Sequence, residues 1–231
     1  MVSINALPDL TCICGPPGSG KTTTAKEVVR EAYAAKMISY CVVFTPNADE
    51  WKNVLPACHS ELVMPYSLAA LARVIKQQIS EEDESKRHRA LIIMDDPLGR
   101  VDFGHHIVAS ALTNYRHHGL SYWLLVQNIT RYLPPLVRDC TSRVLVFPQK
   151  TEYSLVAIFK AFGTAIWPNK ATFQLYLESA CKKASGRAFV VIDVKTGTAS
   201  TAAVTLPAVA MLSEKSHNSH TTPVKSPAKI L

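Results

Sequence analysis

No apolar run in this sequence approaches the ~20 residues needed to cross a bilayer, and the N-terminal residues do not make a signal peptide. A soluble, intracellular protein is expected. The six residues Cys12, Cys14, Cys41, Cys58, Cys140 and Cys181 show no metal-ligand spacing, which argues against a structural zinc site and for a reducing compartment without disulfides. No internal repeat is seen either. Charged residues make up only 19% and hydrophobic residues 48% of the 231 positions, the balance of a globular protein with one sizeable α/β domain. The net charge of +7 favours polyanionic partners, nucleic acid first.

What is present is alternation. Apolar strand-like runs fall at 10–14, 40–44, 90–94, 121–126 and 143–147, with helical patterns at 21–36, 66–79, 102–117, 130–139 and 152–161 between them. Near-continuous apolar strands are those buried on both faces of a parallel sheet, so a three-layer α/β sandwich with a mostly parallel central sheet is predicted. A helix at 169–183 leads to a strand at 188–194, paired with 198–204 across Lys195-Thr196-Gly197. Residues 80–89, with an acidic then a basic cluster, read as a solvated loop, and the core domain spans 1–212. From Ser213 to Leu231 the chain is rich in Ser, Thr, His, Lys and Pro, too poor in apolar groups to fold, and is expected to be a disordered, weakly basic tail.

The chemistry begins at Gly15-Pro16-Pro17-Gly18-Ser19-Gly20-Lys21-Thr22, followed by Thr23, which matches G-x-x-x-x-G-K-[ST] at every defined position. It lies between a strand and a helix, the setting in which backbone N–H groups and the helix dipole hold phosphate. Lys21 would reach the β- and γ-phosphates of ATP, and Thr22 would ligate Mg²⁺. About 70 residues on, Leu91-Ile92-Ile93-Met94-Asp95-Asp96 is a buried strand ending in two carboxylates, the form of a Walker B motif. Carboxyl ends of parallel strands share one edge, so Asp95 would hold Mg²⁺ through water and Asp96 would polarise the attacking water. The commoner residue at the second position is Glu. The next strand ends at Gln127-Asn128; Gln127 is the first choice for a polar contact to the γ-phosphate or the water, Asn128 the second. This order of elements fits an additional-strand P-loop ATPase of RecA-like fold.

Tyr115-Arg116-His117-His118-Gly119-Leu120-Ser121, the strand ending in Gln127, Leu133-Pro134-Pro135-Leu136-Val137-Arg138-Asp139-Cys140, Val144-Leu145-Val146-Phe147 and Phe189-Val190-Val191-Ile192-Asp193 together resemble the poxvirus-type DNA-packaging ATPases of the FtsK–HerA superfamily. The resemblance spans about residues 10–195. It implies a ring-forming motor, pentameric or hexameric, that hydrolyses ATP to drive double-stranded viral DNA into preformed capsids. It also implies docking to a capsid or vertex protein. Related ring ATPases carry an arginine acting in trans near the place of Arg138; Arg116, Arg131 and Arg143 are its competitors. The loop Pro97-Leu98-Gly99-Arg100 and the pairs His105-His106 and His117-His118 could face the channel, but solvated or interface histidines are the reading the residues favour. His106 and His117 would share a side of one helix.

Two other readings remain open on the sequence. A viral helicase-type NTPase has an equally good P-loop, but the chain is too short for a second RecA-like domain. A non-catalytic ATP-dependent assembly factor would need no turnover, which Asp95, Asp96 and Gln127 argue for. A small-molecule kinase would want an Arg-rich lid that the sequence does not contain.

Overall fold

The computed structural model describes residues 8–51, 53–80, 89–97, 99–129, 133–183 and 188–203. Arg131, most of the acidic and basic loop at 80–89, and the expected tail at 213–231 lie outside them.

Eight strands form one sheet: β1 (Leu10–Cys14), β2 (Tyr40–Phe44), β3 (Val63–Met64), β4 (Ala90–Asp95), β5 (Leu120–Val126), β6 (Arg143–Val146), β7 (Ala188–Asp193) and β8 (Thr198–Ala203). They are ordered β3-β2-β4-β5-β1-β6-β7-β8. The first six run parallel, and β7 and β8 are antiparallel. β1, β2 and β5 are buried at every position, which is why their sequences read as unbroken apolar runs rather than as alternations. β8, Thr-Ala-Ser-Thr-Ala-Ala, is an exposed edge of small and polar residues. Cys12, Cys14 and Cys41 are free thiols inside these strands, their pKa values raised by burial.

The helices are α1 (Lys21–Ala34), α2 (Leu68–Ile79), α3 (His106–Thr113), α4 (Pro135–Cys140), α5 (Glu152–Ile158), which runs on as a π-helical turn Phe159–Gly163, and α6 (Lys170–Lys183). α2 packs on α3 and α3 on α4. The crossover carrying α1 runs across the sheet in the opposite direction, so right-handed connections put it on the other face. α6 lies against β7.

The helix expected over 102–117 is much shorter. Asp102 Oδ1 accepts from Gly104 N at 2.9 Å in a turn, and His105 caps α3 by accepting from Ile107 N. At the other end Thr113 Oγ1 bonds back to the carbonyls of Ala109 and Ser110, and Tyr115, 2% exposed, turns into the core. A local hydroxyl competing for helix carbonyls and a buried aromatic thus end the helix four residues early. His106 and His117 do not share a helix face: His117 sits in the turn before β5. The expected helix at 130–139 is described only from 133 on, where Pro135 opens α4 at its first turn. No run of alternation announces β3, two residues long, or the 3₁₀ turns Ala48–Trp51 and Ala57–Leu62.

Candidate active site

β5 lies between β1 and β4, and its register fixes the site. Asp95 pairs with Leu125, and Cys14 with Val126. Immediately beyond, Gly15 N donates to Val126 O and Asp96 N to Leu125 O, both at 3.2 Å. The phosphate-binding loop, the carboxylate pair and Gln127 therefore emerge side by side at one edge. They line a pocket of about 610 Å³ with Thr45, Asn47, Glu50 and Phe147. Asn128 is not among its lining residues, so Gln127 is the polar strand end that faces it.

The loop geometry needs its glycines. A Cβ at Gly15 would come within 2.5 Å of Ser19 Oγ and 2.7 Å of Phe147 Cβ, and Gly20 starts α1 from a left-handed φ of 100°. The first intrahelical bond is Thr24 N to Gly20 O, leaving the N–H groups of the first turn for an anion at the positive end of the helix. Ser19 Oγ is buried with no partner among the described residues. Lys21 is 9% exposed, and its ammonium donates to Gly15 O at 2.7 Å and Pro16 O at 3.0 Å. Desolvation lowers its pKa, while Cys14, Asp95 and Asp96 act in the opposite sense.

The two aspartates sit differently. Asp95 is largely desolvated, and that burial raises its pKa; the Trp51 N–H opposes the rise, Glu50 and Asp96 add to it, and Lys21 lowers it. Its Oδ1 lies 3.5 Å from Thr22 Oγ1 and its Oδ2 accepts from Trp51 Nε1 at 3.1 Å. Asp96 turns out of the strand with φ 50°. Its side chain is 40% exposed, and Arg100 holds it, the guanidinium donating to Asp96 O at 3.0 Å and lying 3.6 Å from Oδ2. Arg100 thus reaches back to the acidic motif while its side chain stays 46% exposed. Glu50 is held by Asn47 Nδ2 at 2.6 Å and by Lys26 at 3.9 Å.

Asn47, Glu50, Trp51 and Phe147 carry no sequence signal. Asn47 leads into the 3₁₀ turn Ala48–Trp51 that carries Glu50 and Trp51 and that only the fold brings to β4, and Phe147 reads as one more apolar strand end.

Of the four arginines considered for action in trans, Arg143 pairs with Asp9 at 3.6 Å beneath β1, and Arg116 packs on Tyr115, Nε donating to its hydroxyl at 3.0 Å. Arg138 is half-buried in the last turn of α4, with no side-chain partner among the described residues. Ser142 N bonds to Leu10 O, so this stretch stands at the amino end of the sheet, a full strand of about 3.3 Å per residue away from its own P-loop.

A strand inserted between the phosphate-binding strand and the acidic strand separates the additional-strand P-loop ATPases from their relatives, and β5 has that place. The chain is an ATPase of this class. The family model for Poxvirus A32 protein matches residues 3–156, more than half of the 231 residues, and the chain belongs to that family, the viral genome-packaging ATPases of FtsK–HerA type. No curated protein matches it in sequence. Among solved structures it is similar to the genome packaging NTPase B204 from Sulfolobus turreted icosahedral virus 2 in complex with AMPPCP. That match has a TM-score of 0.62 at 20% identity, covering 86% of this chain and 98% of the other. The complex of the same NTPase with ATP-gammaS gives 0.60 at 20%, covering 84% and 96%. B204, the DNA-packaging ATPase from Sulfolobus turreted icosahedral virus, gives 0.55 at 19%, covering 84% and 97%. The likeness is one of fold.

Proposed function

We propose that the chain binds and hydrolyses ATP and uses the energy to move double-stranded viral DNA into preformed capsids as part of a homo-oligomeric ring. The observation that carries this reading is the convergence of Lys21, Thr22, Asp95, Asp96 and Gln127 on one pocket. Loop N–H groups, Ser19 and Lys21 bind the β- and γ-phosphates. Thr22 and Asp95 suit Mg²⁺: both offer hard oxygen, and the unpartnered Ser19 hydroxyl marks a cradle shaped for phosphate beside them. When bound, Mg²⁺ neutralises charge on the phosphate oxygens. Asp96 accepts the proton of the attacking water, Gln127 orients that water, and Arg138 of a neighbouring subunit stabilises the charge of the transferring phosphoryl group.

The reading extends to the rest of the molecule. Residues 1–212 make the ATPase domain and 213–231 a basic tail that recruits DNA or capsid. The protein acts in the infected cell, in the nucleus or a cytoplasmic viral factory, docked on a capsid or vertex protein.

The test is steady-state ATP hydrolysis with and without double-stranded DNA, alongside the mass of the assembled species. Hydrolysis stimulated by DNA in a ring-sized species is the expected result. A monomer that binds ATP but shows no turnover, with or without DNA, overturns the motor and leaves an assembly factor.

A further inference from the structure

We infer that Trp51 is a positioning residue for the metal: its indole N–H anchors one oxygen of Asp95 so that the other is presented to Mg²⁺ beside Thr22. This rests on the assignment of Asp95 and Thr22 to the metal made above.

The indole is 1% exposed, and its nitrogen, a donor that cannot accept, carries the only polar hydrogen of the side chain. It donates that hydrogen to Asp95 Oδ2, with Nε1 3.1 Å from the oxygen. The remaining oxygen, Oδ1, is the one that faces Thr22 Oγ1. A carboxylate on a strand end can rotate about its terminal torsion, which is broad; one fixed oxygen removes that freedom and leaves a single orientation. The indole is fixed in turn. Lys26 of α1 lies 5.6 Å from the ring centroid and 3.9 Å from Glu50, the preceding residue of the same 3₁₀ turn. A helix, a turn and a strand thus close a circuit around the metal-holding oxygens: α1 bears Thr22 and Lys26, the turn bears Glu50 and Trp51, and β4 bears Asp95. A buried indole N–H needs an acceptor, and here that acceptor is the carboxylate at the end of β4, whose other oxygen faces Thr22.

Trp51→Phe keeps a buried ring and removes that N–H. Binding of ATP-gammaS is measured by calorimetry in EDTA and in excess Mg²⁺ for the wild type, Trp51→Phe, Asp95→Asn and the double variant. The wild type binds more tightly with Mg²⁺. In Trp51→Phe the affinity in EDTA stays within about two-fold, while the Mg²⁺ concentration needed for tight binding and for hydrolysis rises about 10- to 100-fold, the usual cost of losing a ligand-orienting partner. In the Asp95→Asn background Trp51→Phe adds no further loss of Mg²⁺ dependence, because the two act through one group. Without recourse to any variant, the indole proton–nitrogen correlation signal of Trp51 in the wild type shifts when Mg²⁺ is added to the nucleotide-bound protein.

An unchanged Mg²⁺ dependence in a folded Trp51→Phe protein overturns the proposal. So does an equal loss of affinity in EDTA and in Mg²⁺, which makes Trp51 a packing residue, or an indole signal indifferent to Mg²⁺ should the variant not fold. In each case the ATPase reading stands. A wild type whose nucleotide affinity ignores Mg²⁺ removes the metal assignment of Asp95 itself, and the role of Trp51 falls with it.

Discussion

Asp95 and Asp96 are neighbours in the chain and opposites in setting. The first is desolvated and bonded to an indole; the second is turned outward by a left-handed φ and paired with Arg100. A buried carboxylate held on two sides suits metal binding, and a more exposed one at the pocket wall suits proton transfer to and from water. Lys21→Ala should abolish hydrolysis through loss of phosphate binding. Asp96→Asn should keep nucleotide affinity and slow turnover by about 10²- to 10⁴-fold, because an amide does not accept the proton of water as a carboxylate does. Equilibrium binding beside single-turnover rates separates the two. Equal loss of affinity in both variants would remove the role of Asp96.

At the scale of elements, the sheet is clamped at both ends of β1. The carboxyl end is the site. At the amino end, Asp9 N donates to Ser121 Oγ, Tyr122 N to Asp9 O, and Leu10 N to Ser142 Oγ, tying β5, β1 and β6 together. Asp9 is 3% exposed, and desolvation raises its pKa even though Arg143 and Thr11 oppose the shift. An acid whose folded pKa exceeds its unfolded one binds more protons when folded. Its neutral form therefore favours the fold at low pH, and that contribution fades as pH rises from the unfolded value through the folded one. Asp9→Asn mimics the neutral form at every pH. The melting temperature of the wild type minus that of Asp9→Asn should fall as pH rises above the ordinary carboxylate value of about 4. A difference that grows over this range would show that the pairing with Arg143 outweighs burial.

For the whole molecule, the position of Arg138 is decisive. It stands at the amino end of the sheet and its own P-loop at the carboxyl end, so any catalytic use of it falls on a neighbour's nucleotide. Arg138→Ala should bind ATP normally and turn over about 10³-fold more slowly, the size of effect that an arginine supplied in trans produces. Mixing Arg138→Ala with Lys21→Ala subunits restores interfaces in which an intact P-loop meets an intact arginine, so activity should return. If rings of both subunits form, an isolated repaired interface can fire, and no activity returns, Arg138 is not the group, and Arg116 follows as the next to test.

The amino-acid sequence by itself determined the parts whose physics is local. Gly15 to Thr22 needs only its own spacing to be a phosphate loop. The strands β1, β2, β4 and β5 declare themselves by apolar runs that make sense only when both faces are buried. The carboxylates of Asp95 and Asp96 were legible because parallel strands deliver their ends to one edge. The tertiary structure decided what depends on neighbours remote in the chain. Strand order put β5, and so Gln127, between the loop and the acidic pair. Folding a featureless turn under β4 brought Trp51 to Asp95, 44 residues away. The helix expected from periodicity over 102–117 stopped at Thr113 because a hydroxyl and a buried tyrosine outweighed propensity. Periodicity records which side of an element is apolar; it does not record which element that side will meet, since contact energy is gained only between segments that the sheet brings together.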